Sequence, residues 1–192
     1  MKNMIDLINS FDLDSQITLE DIPQIDLYMD QVIQLFENSF NSSKRNEDEK
    51  VLTKTMINNY AKGKLFFPVK NKKYSKEHLI LISLIYQLKG GLSISDIKET
   101  LAGVNEKIVS GSIHLDQFYE SYLHLAEKNT ASFKKDVIAK AEDTEKEIKS
   151  LEVSKKDELE KVLMIASFIH MSNLYRRAAE RLVDEIGEKG EK

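Results

Sequence analysis

The sequence of 192 residues contains no cysteine and no tryptophan, and it has only two prolines and seven glycines. Without cysteine the chain can form no disulfide bond, no thiolate metal site and no cysteine nucleophile. With so few prolines and glycines, long helices can run without interruption. Hydrophobic residues make up 41% of the chain and charged residues 31%, the balance of a folded protein rich in exposed helix. We therefore expect a mostly α-helical protein without covalent cross-links.

Long hydrophobic runs are also absent. The longest candidate, Leu79–Leu88, is too short for the roughly 20 apolar residues of a membrane span, so it predicts a buried helix. The first residues include Asp6 and lack the apolar core of a signal peptide. Together these two absences predict a cytoplasmic location.

The sequence motifs of common catalytic sites are missing as well. There is no glycine-rich phosphate loop, no nucleophile elbow and no helix with paired histidines. Glu120 and His124 stand one helical turn apart, but no second pair accompanies them, so ordinary surface side chains are the favoured interpretation. The sequence therefore predicts no enzyme, no cofactor and no metal site.

Acidic residues are absent from one stretch, Val51–Lys76, which contains seven lysines and which we call the basic segment. Because the whole chain carries a net charge of −4 and this segment carries +7, the remaining residues carry −11. Such a separation of charge predicts an anionic partner, and nucleic acid is the commonest one. The alternative is that these lysines only solvate a protein surface.

The spacing of apolar residues predicts two helices and a loop in the first third of the chain. Apolar residues recur at three- and four-residue steps over Ile25–Phe36, and Asp21 and Pro23 are suited to begin that helix. The polar stretch Asn38–Lys50 predicts a loop. A second helix is expected over Thr53–Gly63, with the threonine as its cap and the glycine as its end.

The following residues predict a short β-hairpin and two more helices. Leu65–Val69 and Lys70–Tyr74 are expected to form strands that are joined around Asn71. An apolar helix is expected over Lys76–Lys89. The capping box Ser93–Asp96 then predicts the start of another helix.

The C-terminal half predicts two long helices and self-association. Helical spacing runs from His114 to about Ser150, and a capping box at Ser154 and Asp157 predicts a last helix that ends at Ile186. Within that last helix one set of residues recurs at four- and three-residue steps and predicts a packing seam: Met164, Phe168, Met171, Tyr175, Ala178 and Leu182. Two helices alone cannot cover so much apolar surface, so we expect a homodimer.

The predicted order of helix, loop, helix, small wing and two further helices resembles the winged helix-turn-helix of the MerR regulators. The resemblance covers about Leu52–Leu101, and the matching stretches are Ile57–Tyr60, Gly63–Leu65 with Pro68, Lys72–Ser75 and Gly91–Leu101. Asn59 and Lys73 stand where this family usually has arginine, and the loop before the second helix is longer. The resemblance implies a DNA-binding domain with a small β-wing.

A second resemblance is more specific. The stretches Ile22–Val32, Leu52–Lys62 and Lys73–His78 are similar to a Firmicute family catalogued as domain of unknown function (DUF) 1836. This resemblance covers about Ile22–Ala102. It implies no particular activity, since none is established for the family.

In a helix-turn-helix the second helix enters the major groove, which assigns a DNA-binding role to two sets of residues. Short or polar residues of the expected recognition helix would meet base edges: Thr53, Lys54, Thr55, Asn58 and Asn59. The other lysines would lie near phosphates: Lys62, Lys64, Lys70, Lys72, Lys73 and Lys76. Because asparagine can pair with adenine through two hydrogen bonds, a preference for sites that contain A·T pairs is expected.

These observations combine into one expectation. The chain would be a mostly α protein with an N-terminal arm (1–22), a winged helix-turn-helix (23–104), a helical dimerisation region (105–187) and a disordered tail (188–192). It would bind double-stranded DNA as a sequence-specific transcriptional regulator in the cytoplasm. The alternative is a helical protein–protein interaction module that reuses the winged helix without binding DNA. Whether a small molecule controls it stays open.

Overall fold

A computed structural model of the chain describes residues 6, 8, 10, 12–151 and 156–190. The described part is mostly helical, as expected, with six α-helices and one small antiparallel sheet. In chain order the elements are β1 (Leu27–Tyr28), α1 (Met29–Phe40), α2 (Lys54–Lys62), β2 (Lys73–Tyr74), α3 (Lys76–Leu88), α4 (Ile94–Val109), α5 (Leu115–Ser150) and α6 (Lys156–Gly190), with a 3₁₀ turn at Asn41–Ser43.

The described residues fall into two compact units. The larger unit contains Ser15–His124 and the end of the chain from Glu180 onward. The smaller unit contains Leu125–Ala179 and the described residues before Ser15. Both long helices, α5 and α6, therefore contribute residues to each unit.

The core of the larger unit is built around α3. Every residue of α3 from His78 to Ile85 is buried, which confirms the buried helix that the apolar run predicts. Because this helix is apolar on nearly every side, it has to be covered from several directions. The side chains that cover it come from all parts of the unit and include Ile17, Ile22, Val32, Phe36, Ile57, Leu65, Ile97 and Leu101.

A buried tyrosine joins the two ends of this core. Tyr119, near the start of α5, is fully buried, and its hydroxyl donates to the backbone oxygen of Ile17 at 2.7 Å. The same hydroxyl lies 2.8 Å from the hydroxyl of Ser83 on α3. Burial raises the pKa of Tyr119 to about 12. The segment that the sequence assigns to an N-terminal arm therefore supplies Ile17 and Ile22 to the core.

The predicted start of the first helix is wrong. Asp21 accepts from the backbone N–H and the hydroxyl of Thr18, both at 2.8 Å, and so closes a turn. The helix begins only at Met29, because Leu27 and Tyr28 are held in a strand pair. Ile25, expected on the inward side of the helix, is 69% exposed.

The predicted β-hairpin is also partly wrong. Leu65–Val69 forms no strand, and β2 instead pairs antiparallel with β1, with Leu27 opposite Tyr74 and Tyr28 opposite Lys73. Two features oppose a strand before the turn: Pro68 has no N–H to donate, and Leu65 and Phe66 are drawn into the core. Only Lys70 pairs with Lys73 across the turn.

The loop between α1 and α2 is longer than a tight turn, but a carboxylate holds it. Glu37 on α1 forms an ion pair with Lys44 and accepts from the backbone N–H of Val51 at 3.2 Å. The hydrogen bond from Lys44 lowers the pKa of Glu37 below its ordinary value. Val51 and the following Leu52 are buried, so the residues directly before α2 are fixed in the core.

In the smaller unit α5 and α6 bury a narrow seam. Val137, Ala141 and Ile148 of α5 are buried, and the hydroxyl of Thr144 lies 3.2 Å from the sulfur of Met164 on α6. These α5 residues recur at three- and four-residue steps, the period of helix packing. Leu13, which precedes both helices in sequence, also contacts α5, because its backbone oxygen accepts from the Thr130 hydroxyl at 3.3 Å.

Several expectations for the last helix have a definite outcome. Helix α6 continues past the predicted end at Ile186 to Gly190, and the last residues of the expected tail, Glu191 and Lys192, lie outside the described residues. The proposed capping residue Ser154 lies outside the described residues. Within the described part of the chain, no helix combines the length and the apolar character that crossing a membrane requires.

The buried tyrosine yields a stability prediction. We expect Tyr119→Phe to lower the free energy of unfolding by about 1–3 kcal/mol, because it leaves the buried oxygens of Ile17 and Ser83 without their shared partner. Urea denaturation followed by circular dichroism measures this change. The control is Tyr122→Phe, a half-buried neighbour whose ring stacks on Tyr119 at 5.7 Å. Equal losses in both variants would contradict a special role for the Tyr119 hydroxyl.

Candidate nucleic-acid interface

Helix α2 presents its polar residues on one side. Thr53 caps the helix, and its hydroxyl accepts from the backbone N–H of Met56 at 3.2 Å. Ile57 and Tyr60 are buried and fix the inward side. At 100° per residue, the remaining polar positions share the outward side, and all are exposed: Lys54, Thr55, Asn58, Asn59 and Lys62. Of the expected recognition residues, only Thr53 is half-buried, and its hydroxyl oxygen is already used in the cap.

The end of α2 places a lysine in an unfavourable backbone conformation. Lys64 has φ 57°, and its N–H donates to Ala61 at 3.1 Å while that of Leu65 donates to Tyr60 at 3.0 Å. This pair of bonds is a Schellman motif, whose left-handed position is usually glycine. Gly63, expected to fill that role, has φ −70° instead. A Cβ on Gly63 would lie 2.7 Å from the Leu65 side chain, so close packing requires this glycine.

The turn before β2 also places a lysine in a left-handed backbone conformation. The backbone N–H of Lys73 donates to the oxygen of Lys70 at 2.9 Å, and the two central residues, Asn71 and Lys72, have φ 53° and φ 59°. Positive φ at both positions is typical of a type I′ turn, in which Asn-Gly is the preferred pair. Asn71 fits the pattern, whereas Lys72 stands where glycine would be most stable. The turn at Asn71 itself agrees with the sequence expectation.

All non-glycine residues with positive φ in the described chain lie in the basic segment. They are Lys64, Asn71 and Lys72. A left-handed conformation costs a side chain other than glycine roughly 1–2 kcal/mol, and asparagine tolerates it best. Local strain of this kind is concentrated at functional sites, where a side chain is needed at a fixed place. The two lysines are therefore held where stability alone favours glycine.

Three of the seven lysines already have partners. Lys54 forms an ion pair with Asp30 at 2.8 Å, and Lys76 forms one with Asp116 at 2.7 Å. The ammonium of Lys73 lies 5.1 Å from the centre of the Tyr28 ring. The exposed pair of Lys54 with Asp30 contributes little, about 0–1 kcal/mol, so another anion can compete for Lys54. Within the described residues the other four form no ion pair and are exposed: Lys62, Lys64, Lys70 and Lys72.

Sequence analysis missed Tyr28 as a member of this surface. It is 55% exposed and stands opposite Lys73 in the sheet, with Asp30 two residues further along. A helical period assigned Tyr28 to an inward side. The usable signal was strand alternation, because Leu27 points inward and Tyr28 outward. Its phenol places a hydrogen-bonding group next to Lys73.

A buried histidine fixes the turn relative to α3. The backbone N–H of Ser75 donates to Nδ1 of His78, and Nε2 lies 3.1 Å from the backbone oxygen of Phe67, to which it donates. The rings of Phe67 and Tyr74 lie 4.0 and 5.9 Å from the imidazole. Burial lowers the pKa of His78, although the Phe67 oxygen and Glu77 act in the opposite direction. The neutral form is therefore the one that holds Phe67, before the turn, and Ser75, after it.

The described residues contain no group of three or more metal-binding side chains in reach of one ion. Grooves do flank the segment Phe67–Val69, one of about 580 Å³ beside Lys64 and one of about 950 Å³ beside Lys70. Each groove thus has one lysine of the basic segment in its lining. The chemistry of this surface is thus that of exposed cations and amides.

Comparison with known families gives one match. The family model described as "Domain of unknown function (DUF1836)" matches residues 17–122, just over half of the chain. The matched region begins at Ile17 and extends past Tyr119, so it contains the buried bond that closes the core, and it includes the whole basic segment. No curated protein and no solved structure matches the chain.

His78 yields a prediction about pH. Because its pKa is lowered by folding, the unfolded chain binds a proton more readily, and the stability supplied by neutral His78 is lost as pH falls below about 6.5. We expect His78→Gln to be less stable than wild type by about 1–3 kcal/mol at neutral pH. Its free energy of unfolding should also depend less on pH between about 7.5 and 5.5.

Urea denaturation at several pH values measures both effects. The control is His114→Gln, since His114 is exposed and should leave the pH dependence of wild type intact. An unchanged pH dependence in His78→Gln would contradict the assignment of a neutral, structural histidine.

Proposed function

The chain belongs to the DUF1836 family, and we propose that its larger unit binds double-stranded DNA through the outward side of α2 and the turn at Asn71–Lys72. The observation that carries the proposal is the placement of Lys64 and Lys72 in left-handed backbone positions. A lysine that only solvates a surface can occupy any exposed position. Lysines kept at positions that favour glycine indicate a need for charge at those places.

The dimensions of α2 suit the major groove. An α-helix with its side chains is about 10–12 Å thick and the groove of B-DNA is roughly 12 Å wide, so the nine residues of α2, about 14 Å long, can lie in it. With α2 in the groove, Asn58 and Asn59 would reach base edges, where an amide can pair with adenine. Lys62 and Lys64 lie at the end of the helix and would contact a phosphate strand. Lys70 and Lys72 flank the turn and would contact the backbone beside it.

We further propose that this unit is a winged helix of the MerR kind and that the protein is a bacterial transcriptional regulator in the cytoplasm. The order of elements from α1 to α4, with a tight turn between α2 and α3, supports the comparison. The strand β1 adds a partner that ties the turn to the start of α1. Asn59 and Lys73, which replace the usual arginines, favour contacts with adenine and phosphate over contacts with guanine.

A second function is favoured by one observation. Exposed apolar residues along α6, among them Val162, Ile165 and Ile169, support the alternative of a protein–protein interaction module that does not bind DNA. In that case the basic segment would be a solvated surface. Charge reversal separates the two functions, because it abolishes phosphate contacts and leaves distant apolar contacts unchanged.

The test of DNA binding is a fluorescence-anisotropy titration with mixed genomic DNA fragments from about 50 to 200 mM salt. If about five phosphates are contacted, the logarithm of the binding constant should fall with the logarithm of salt concentration with a slope near −4.5. The triple variant Lys54→Glu, Lys72→Glu, Lys73→Glu should lose binding. A variant of equal net charge, with Lys98, Lys107 and Lys128 changed to Glu, should retain most of it.

Two outcomes would contradict the proposal. One is an absence of binding by the wild-type protein even at the lowest salt concentration. The other is an equal loss of binding in both triple variants, which would indicate a response to net charge without a defined surface.

The strained lysines give a sharper prediction. We expect Lys64→Gly and Lys72→Gly each to raise the free energy of unfolding by roughly 0.5–1 kcal/mol, because glycine relieves the strain at positive φ. Each should also weaken DNA binding and reduce the steepness of the salt dependence by about one unit. Urea denaturation and anisotropy titrations of the same preparations measure both changes.

The control is Lys98→Gly in the exposed side of α4. There glycine should lower stability by about 0.5–1 kcal/mol and leave the salt dependence unchanged. If Lys64→Gly and Lys72→Gly raise stability without any loss of DNA affinity, these lysines do not contact DNA.

A further inference from the structure

Helix α6 carries apolar residues on two opposite sides within the smaller unit. On the inner side Met164 is buried against Thr144, and Phe168 and Met171 are half-buried. The other side is uncovered, and we call it the outer stripe: Leu159, Val162, Ala166 and Ile169. Val162 and Ile169 are 55% and 58% exposed, whereas Met164 is 4% exposed.

The outer stripe has the spacing of a helix-packing seam. Its residues follow one another at steps of three, four and three, so they lie in one row along the helix. At 100° per residue, Val162 and Ile169 point almost directly away from Met164. Ile165, which is 61% exposed, flanks the row. Single exposed apolar side chains are ordinary, but a continuous row of this length is typical of a contact surface.

The outer stripe differs from the seam that the sequence predicts. That seam contains Met164, Phe168, Met171 and Tyr175, and its first residues already pack inside the unit. Within it Tyr175 is 71% exposed. The inner side of α6 around Met164 is therefore already covered by α5 of the same chain, alongside the apolar residues of the outer stripe.

Charged residues at the two ends of the outer stripe have opposite sign. Glu158 lies on the stripe's side of the helix at the beginning, and Arg176 and Arg177 lie on that side at the end. Lys156 and Lys161 also lie near the beginning but project from the sides of the helix, away from the row. Over residues 158–177 the stripe's side is thus acidic at its beginning and basic at its end, and Glu180 follows one turn further along.

We propose that a second copy of this chain packs against the outer stripe, with the two α6 helices antiparallel. Antiparallel packing brings Glu158 of each copy towards Arg176 and Arg177 of the other, whereas parallel packing would set like charges side by side. A two-fold axis near Ala166 makes the surface self-complementary, since each Val162 approaches the Ile169 of the second copy. The small side chain of Ala166 lets the helices approach closely at the axis.

The resulting dimer contains four helical segments, because each copy contributes α5 and α6 from its smaller unit. Residues 158–177 form a contact about 30 Å long, with the inner side of each α6 covered by its own α5 and the outer stripe covered by the second copy. This pairing does not depend on the proposed DNA binding, and each can be tested without the other. Two DNA-binding units in one particle would be a consequence.

The mass of the particle tests this proposal without any DNA. We expect sedimentation equilibrium from about 1 to 100 µM protein to show a monomer–dimer equilibrium for wild type. The double variant Val162→Glu, Ile169→Glu should raise the dissociation constant on the order of 100-fold or more, since it brings four carboxylates together at the contact. Both positions are exposed in the single chain, so the helix content of the variant should equal that of wild type by circular dichroism.

The matched control is Tyr175→Glu, an exposed apolar residue on the other side of the same helix. This variant should dimerise like wild type. Three results would overturn the proposal: a wild-type monomer at the highest concentration, a dimer that survives the double variant, or a dimer that is lost in Tyr175→Glu.

Single cysteines test the orientation, and the absence of any native cysteine makes the result unambiguous. Ala166→Cys should form a disulfide-linked dimer under mild oxidation, because the two positions meet near the axis. Glu158→Cys should not, since antiparallel helices hold its two copies roughly 24 Å apart. Efficient linking through Glu158→Cys would overturn the antiparallel arrangement. Failure of Ala166→Cys to link would overturn the position of the axis.

Discussion

Helix α3 is apolar on nearly every side, and a helix of that kind is stable in water only when other elements cover it. The rest of the larger unit follows from this requirement. The segment around Ile17, the helices α1, α2 and α4 and the first turns of α5 each place side chains against α3. Tyr119 closes the cover by joining Ile17 to Ser83. The family match over residues 17–122 therefore coincides with the part of the chain that this core needs.

Covering α3 also decides which residues are left outside. Helix α2 buries Ile57 and Tyr60 in the core, so its opposite side, with its asparagines and lysines, faces solvent. The strand pair and His78 then hold the turn at Asn71–Lys72 in a fixed position relative to the start of α1 and to α3. The basic segment thus carries exposed lysines in two places, at the end of α2 and at the turn. Its strain, at Lys64 and Lys72, is a cost in stability that charge at those places would justify.

The smaller unit has the opposite problem. Its two helices can bury one seam between them, but α6 is apolar on two sides, and the outer stripe has no cover within the unit. A pair of helices with so small a core is marginal by itself, since little apolar surface leaves water. A second copy offers the missing surface in the correct shape and with complementary charge. Association would then add to the stability of this unit, because the second copy binds only its folded state.

The sequence by itself determined the features that depend on local spacing. The helical class, the buried α3, the cap at Thr53, the capping box at Ser93 and the turn at Asn71 all follow from neighbours within a few residues. The exposed side of α2 follows in the same way, because burying Ile57 turns the polar residues outward. These features are set by backbone geometry and hydrophobic period, which short stretches of chain contain.

Only the tertiary structure decided the features that depend on distant partners. Tyr28 has a helical neighbourhood in sequence, yet it joins a strand because Lys73 and Tyr74 are available to pair with it. Lys64, and not Gly63, takes the left-handed position at the end of α2, and Gly63 is instead packed so closely that a Cβ there would lie 2.7 Å from the Leu65 side chain. The sequence contains both stripes of α6, but which one is already covered depends on where α5 lies. Long-range pairing and packing select among local alternatives of similar energy, and no short stretch of sequence carries that information.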